Sequence, residues 1–174
     1  MIIVLLGYMA SGKSSIGRLL AKKLNYQFQD LDAIIEAEEG QTSSELFDSK
    51  GEIYFRKRET ESLQQVLNNS NNLVLALGGG TPCYGMNMQL IKDHPDTESL
   101  YLKASIPTLI ERLQNEKQKR PLIAHLSSNE ELAEFIGKHL FERTVFYDQA
   151  DQTIMTDGLS ENEILEKILL QLFQ

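Results

Sequence analysis

The chain has 174 residues, 41% apolar and 24% charged, with a formal net charge of −8. That length suits one domain with a sizeable core, and the acidic balance argues against broad nucleic-acid or anionic-membrane binding, which needs a basic face. The one cysteine, Cys83, rules out an internal disulfide and fits a reducing compartment.

In chain order, residues 2–6 (IIVLL) form a continuous apolar run, expected as a buried parallel strand. There is no basic n-region and the run is too short to span a bilayer, so a cytoplasmic protein without a membrane segment is expected. Glycine-rich residues 7–12 follow, then a helical stripe over 14–24. A second short strand is predicted at 26–29, running into Asp30-Leu31-Asp32, and then a helix to about residue 39 stopped by Gly40. Thr42 and Glu45 make a capping box for a short helix to Lys50, and a longer helix runs over 52–67. A third buried strand (73–77) ends in Gly78, Gly79 and Gly80. A helix at 86–93, a strand at 99–102 and a helix from Pro107 to about residue 116 come next. Residues 115–128, polar at the start and punctuated by Pro121, are the candidate lid. Ser128–Glu131 opens a long helix to about residue 148, residues 152–156 are a fifth strand, and Ser160–Glu163 caps a C-terminal helix. Strands alternating with helices imply a parallel sheet covered on both faces.

The chemistry starts at residues 7–14, GYMASGKS, whose spacing is that of a phosphate-cradling loop between a strand and a helix. Its backbone N–H groups and the following helix N-terminus favour phosphate, Lys13 supplies a compact charge, and the Ser14 hydroxyl suits Mg²⁺. No N/T-K-x-D base-recognition run is present, and the chain is short for a large ATPase motor. Small kinases and nucleotide-holding regulators remain.

The third strand ends in glycines rather than an acid, so a metal carboxylate must come from elsewhere, and Asp30 and Asp32 are the nearest supply. An extended backbone would send the two in diverging directions, one toward metal and one toward acceptor; the alternative is that either merely caps a helix. Arg56 and Glu59, at i and i+3, either pair to set a guanidinium fork for a planar carboxylate or belong to a solvated face. Arg120 is placed in the lid candidate as an arginine finger in cis, and Arg143 lies on the long helix after it. The three glycines mark a close approach or a simple turn. His94, His125, His139 and Cys83 show no metal-ligand spacing and are expected to be structural or superficial. Phe47 and Phe55 are core or pocket wall.

Taken in order, GYMASGKSSIGRLLA, FQDLDAIIE, LFDSKGEIYFRKRE, LALGGG, RPL, FERTVFY and AD resemble the shikimate kinase family over nearly the whole chain. The resemblance implies a three-layer α/β/α fold with a five-stranded parallel sheet. It implies one domain over residues 1–174, with a substrate-binding segment at about 31–62 and a lid at about 115–128. It implies transfer of the ATP γ-phosphate to the 3-hydroxyl of shikimate, with Mg²⁺, by a monomer serving aromatic amino acid biosynthesis. Ala10, Ser11, Gly12, Lys13, Ser14 and Ser15 would then hold the phosphates, and Ser14 and Asp30 would serve Mg²⁺. Asp32 would contact the acceptor hydroxyls and act as base. Arg56 and Arg143 would clamp the carboxylate, Glu59 orienting Arg56, while Gly78, Gly79 and Gly80 offer backbone contacts. Phe47, Phe55, Pro121 and Leu122 would line the apolar sides, and Arg120 would close onto the phosphates as a catalytic group beside Lys13.

Two departures stand out. Ala10 and Ser11 replace a glycine common in the family, and both are small enough to keep the cradle. The Arg or amide expected near residues 157–159 for adenine is missing, leaving Arg112 as the other adenine-side candidate. A gluconate kinase would show D-G-D-x-L-H-P, which DLDAII lacks, and a non-catalytic nucleotide-binding regulator would be expected to lose Asp32 or the lid arginine.

Overall fold

The computed structural model of the chain describes residues 1–114, 116 and 121–173. Its strands are β1 (Ile2–Leu6), β2 (Gln27–Asp30), β3 (Leu73–Ala76), β4 (Thr97–Lys103) and β5 (Gln152–Met155), all parallel in the order β2-β3-β1-β4-β5. The described helices are α1 (Lys13–Leu24), α2 (Leu31–Glu39), α3 (Ser43–Lys50), α4 (Glu52–Asn69), α5 (Asn87–Asp93), α6 (Ile106–Gln114), α7 (Pro121–Ala124), α8 (Asn129–Tyr147) and α9 (Glu161–Leu172). A 3₁₀ turn spans Thr81–Cys83.

β1 is central and wholly buried, which is why its sequence is apolar at every position rather than at alternate ones. Alternate side chains serve opposite faces. Ile2, Val4 and Leu6 pack with Leu31, Leu63, Leu109 and Ile136, from α2, α4, α6 and α8. Ile3 and Leu5 pack with Ile16, Leu20, Ile164 and Ile168, from α1 and α9. The result is the expected three-layer α/β/α arrangement.

Local signals set the ends. The three capping boxes at Thr42–Glu45, Ser128–Glu131 and Ser160–Glu163 all form with both reciprocal bonds. Gly40 closes α2 at φ 65°. α4 runs two residues beyond the expected Leu67, because the Asn69 amide turns back to the Gln65 carbonyl at 2.9 Å. β2 starts one residue late, at Gln27, where pairing with Leu73 begins.

Register decides where the chemistry gathers. Ala76 of β3 is opposite Leu5 on one side and Asp30 on the other. The glycine loop after β1, the acidic end of β2 and the three glycines after β3 therefore leave the sheet at one level, on the edge where ligands bind in such folds.

Candidate functional site

The loop between β1 and α1 needs unusual backbone. Gly7 has φ 147° and Gly12 φ 99°. A Cβ on Gly7 would stand 2.6 Å from the Leu102 carbonyl oxygen, so glycine is required there. Ala10, which replaces the glycine common in the family, is also left-handed at φ 62°, at a cost of about 1 kcal/mol for a non-glycine residue. The cradle thus forms with Ala10 in place, as expected. Lys13 Nζ donates to the Gly7 and Tyr8 carbonyls at 2.9 and 3.0 Å, which holds the ammonium over the loop. No side chain caps α1, so its first N–H groups face the same space.

That space is a cleft of about 520 Å³, lined by residues 10–15 together with Asp30, Asp32, Gly78, Gly79 and Arg112. Arg112 Nη1 donates to the Ala10 carbonyl at 3.0 Å, which fastens a cation to the loop. Leu159 and Ile164 line the cleft as well.

Asp30 caps a helix, one of its two expected roles, and also reaches the loop. Its Oδ1 caps α2 by accepting from the Asp32 N–H at 3.1 Å, and its Oδ2 accepts from the Ser14 hydroxyl at 2.9 Å. The expectation of diverging aspartates on extended backbone is corrected. Asp32 already lies in the first turn of α2, and both carboxylates line one cleft. Burial, then Asp30 and Glu59, push the Asp32 carboxyl up to about 6 against the opposing pull of Lys13.

The first and last of the three glycines make room for charged side chains, and the middle one lies in ordinary contact with another. A Cβ on Gly78 would sit 2.7 Å from Asp32 Oδ1, one on Gly80 2.8 Å from Arg56 Nη2, and one on Gly79 3.6 Å from Arg143 Nη1. The triple glycine is also a turn, since Thr81–Cys83 coils directly after it. Arg56 Nη1 donates to Glu59 Oε2 at 2.8 Å, and Glu59 is only 1% exposed. The other Glu59 oxygen accepts from the Thr81 hydroxyl at 2.5 Å. Asn87 in turn donates to the Thr81 carbonyl at 2.9 Å and accepts from Thr60 at 2.8 Å. The solvated-face reading of Arg56 is therefore set aside.

α8 brings a second set. Arg143 lies beside Gly79, and Tyr147, one turn on, donates its hydroxyl to the Gly79 carbonyl at 2.5 Å. Tyr8 in the loop and His139 on α8 are joined at 3.0 Å, which accounts for His139 as structural. Burial raises the Tyr8 phenol to about 12 and the Cys83 thiol to about 11, so neither ionises near neutrality.

Phe47 and Phe55 pair at 4.5 Å and lie 5.6 and 5.4 Å from the Arg56 guanidinium; Phe55 is buried in the core and Phe47 packs against it, half-buried. Leu122 is exposed. Arg120 lies outside the described residues, as does most of residues 115–120 in the lid candidate. Sequence reasoning missed Thr81, Asn87, Tyr84 and Tyr147. A Thr, an Asn and two Tyr at unremarkable spacings carry no signal until the fold supplies their partners.

Comparison with known proteins gives one consistent result. A family model described as "Shikimate kinase" matches residues 9–173. A shikimate kinase of Flavobacterium psychrophilum is 48% identical over 171 residues, covering 98% of each chain. Among solved structures, the shikimate kinase of Bacteroides thetaiotaomicron superposes with a TM-score of 0.93 at 33% identity, covering 100% of this chain and 99% of that one. A shikimate kinase from Acinetobacter baumannii in complex with shikimate gives a TM-score of 0.86 at 31% identity, covering 98% of this chain and 92% of that one.

Proposed function

The chain belongs to the shikimate kinase family, and from that premise we propose that it transfers the γ-phosphate of ATP to the 3-hydroxyl of shikimate, giving shikimate 3-phosphate and ADP. The observation that carries the residue assignments is the Asp32 carboxylate. It lies in one cleft with the Lys13 loop and packs against Gly78, beside the Arg56–Glu59 pair.

The loop N–H groups of residues 10–15 and Lys13 hold the triphosphate. Arg56, pre-set by Glu59, and Arg143 take the acceptor's carboxylate, and the backbone at Gly78, Gly79 and Gly80 lets the ring lie close. Asp32 orients the acceptor hydroxyl and accepts its proton. A carboxyl at about 6 is ionised at neutral pH yet more basic than an ordinary aspartate. Positioning and charge neutralisation carry most of the catalysis, since the transferring phosphoryl passes through a loose transition state. Arg120 is assigned to closing over the phosphates on sequence grounds.

Mg²⁺ fits the donors present. Ser14 Oγ and Asp30 Oδ2 are adjacent hard oxygens at the loop, and among the described residues no cluster of three or more His, Cys, Asp or Glu offers an all-protein cage. That matches an ion held by one or two side chains plus substrate phosphates, where it neutralises phosphate charge. A cytoplasmic setting is supported by the one cysteine, and no helix among the described residues is long and apolar enough to cross a membrane.

A coupled ADP-release assay with Mg²⁺-ATP and a panel of acceptors tests this. Shikimate is expected to be phosphorylated far faster than gluconate or nucleoside monophosphates; absent or equal activity on shikimate sinks the assignment.

A further inference from the structure

Arg56 carries more contacts than a helix-surface arginine needs. Its Nη1 is taken by Glu59 at 2.8 Å. Its Nε is buried, has no hydrogen bond among the described residues, and stands 3.6 Å from a Glu52 oxygen. Its guanidinium carbon lies 3.8 Å from the centroid of the Tyr84 ring, much nearer than to Phe47 or Phe55 at 5.6 and 5.4 Å.

The ring is delivered by the segment that also clears space for the cation. Gly80 removes the side chain that would strike both Nη atoms. The chain then coils through Thr81–Cys83, where the Cys83 N–H bonds the Gly80 carbonyl at 2.9 Å, and Tyr84 follows in extended backbone. Buried Asn87 locks that exit: its N–H bonds the Tyr84 carbonyl at 3.3 Å and its side chain bonds the Thr81 carbonyl at 2.9 Å. So the ring is held by backbone that is itself pinned.

We infer that Tyr84 is a positioning residue for acceptor binding: its ring, stacked on the Arg56 guanidinium, holds the fork in the plane that receives the acceptor's carboxylate. This deepens the reading of Arg56 as carboxylate clamp and rests on it. Glu59 fixes one edge of the guanidinium and Tyr84 fixes its face, so rotation about the Nη1 bond is blocked before substrate arrives. Less ordering then remains to be done on binding. A guanidinium can lay its plane on the ring, whereas a lysine ammonium meets a ring only as a point charge and would leave no fork to orient.

The test is steady-state kinetics of Tyr84→Leu and Tyr84→Phe, with thermal melts to confirm that both are folded. Tyr84→Leu is expected to raise the shikimate KM about 5- to 20-fold, the span of a partly desolvated cation–π contact, with ATP KM and kcat within about 2-fold. Tyr84→Phe keeps the ring and should stay within about 2-fold of the parent throughout. With the uncharged carboxamide of shikimate as acceptor, the penalty of Tyr84→Leu should vanish. An unchanged shikimate KM in Tyr84→Leu, an equal rise in ATP KM, a penalty that persists with the carboxamide, or a Tyr84→Phe that behaves like the leucine variant each overturns the inference. The last outcome would assign the effect to the hydroxyl and Glu52.

A second readout does not need turnover. The chain has no tryptophan, so Tyr84→Trp places a single indole on Arg56. Its emission should differ from that of Tyr84→Trp/Arg56→Met, and titration with shikimate should move it only when Arg56 is present. Identical emission with and without Arg56 removes the stack. If the parent fails to phosphorylate shikimate while the two emissions differ, the assigned substrate falls and the stack stands.

Discussion

Helix α4 carries the same pair twice: Arg56–Glu59 and Arg58–Glu61, both at i and i+3 and only two residues apart. Two residues turn a helix by about 200°, so the pairs lie on nearly opposite faces. On the inner face, Glu59 is 1% exposed and shared between Arg56 and Thr81. On the outer face, Glu61 is 38% exposed, and Arg58 reaches across to Glu38 and Glu39 of α2 at 2.9 and 2.8 Å. Lys50 and Tyr54 join Glu39 as well. The outer cluster ties α2, α3 and α4 together in contact with water, where each ion pair is worth little. The inner pair sits where a lost partner leaves a buried charge uncompensated. Motif and spacing are alike; solvent and third partners make one a buried, shared pair and the other a helix tie.

The comparison is sharpened first at Asp32, whose carboxyl is raised in part by the charge of Glu59 in the inner pair. Asp32→Asn is expected to lower kcat about 10²- to 10⁴-fold while leaving ATP binding nearly unchanged. Nucleotide titration beside turnover checks this, and matching losses would move Asp32 to the donor side. The same group gives a pH signature. Its pKa is raised to about 6 in the folded chain, so the native state keeps a proton that the unfolded state has released. Stability therefore falls as pH rises from about 4 to about 6, by about 3 kcal/mol at most, and is flat above. Melts across that window should show the slope in the parent and not in Asp32→Asn. In the free enzyme, kcat/KM for shikimate should drop as pH falls below about 6.

Glu59→Gln is next. It should cost about 3 kcal/mol of stability and raise the shikimate KM about tenfold, because Arg56 loses its buried counter-charge. If chemical denaturation finds no loss, the inner pair is no different from the outer. Thr81→Val keeps shape but removes the hydroxyl on Glu59; about 2 kcal/mol and about a threefold rise in shikimate KM are expected. Arg58→Met should be the mildest, with kinetics within about twofold and a salt-dependent stability change under about 1 kcal/mol. An activity loss there as large as that of Glu59→Gln would erase the distinction between the two faces.

Much of the fold was legible from local pattern. The capping boxes and the stop at Gly40 rest on bonds between residues a few positions apart, and the unbroken apolar run at β1 marks its burial although its ladder partners, β3 and β4, lie far along the chain; all formed as expected. The loop proposed to hold the phosphates was legible from local pattern too: Gly7 to Ser15 is one stretch whose spacing dictates its own backbone. The acceptor half was legible only in part, through residue types rather than contacts. Arg56, Glu59, Asp32 and Arg143 were singled out, yet sequence could not choose between Asp30 as cap and Asp30 beside Ser14, and it had no reason to look at Thr81, Tyr84, Asn87 or Tyr147.

By itself, then, the sequence determined the order of strands and helices, their caps and the glycine loop, because apolar patterning, capping bonds and glycine spacing are all written over short separations. Only the tertiary structure decided which of two like-spaced Arg–Glu pairs is buried, and that Gly78 and Gly80 open space for Asp32 and Arg56. Those outcomes depend on parallel register and on packing between segments tens of residues apart, where burial rather than spacing sets what a charge can do.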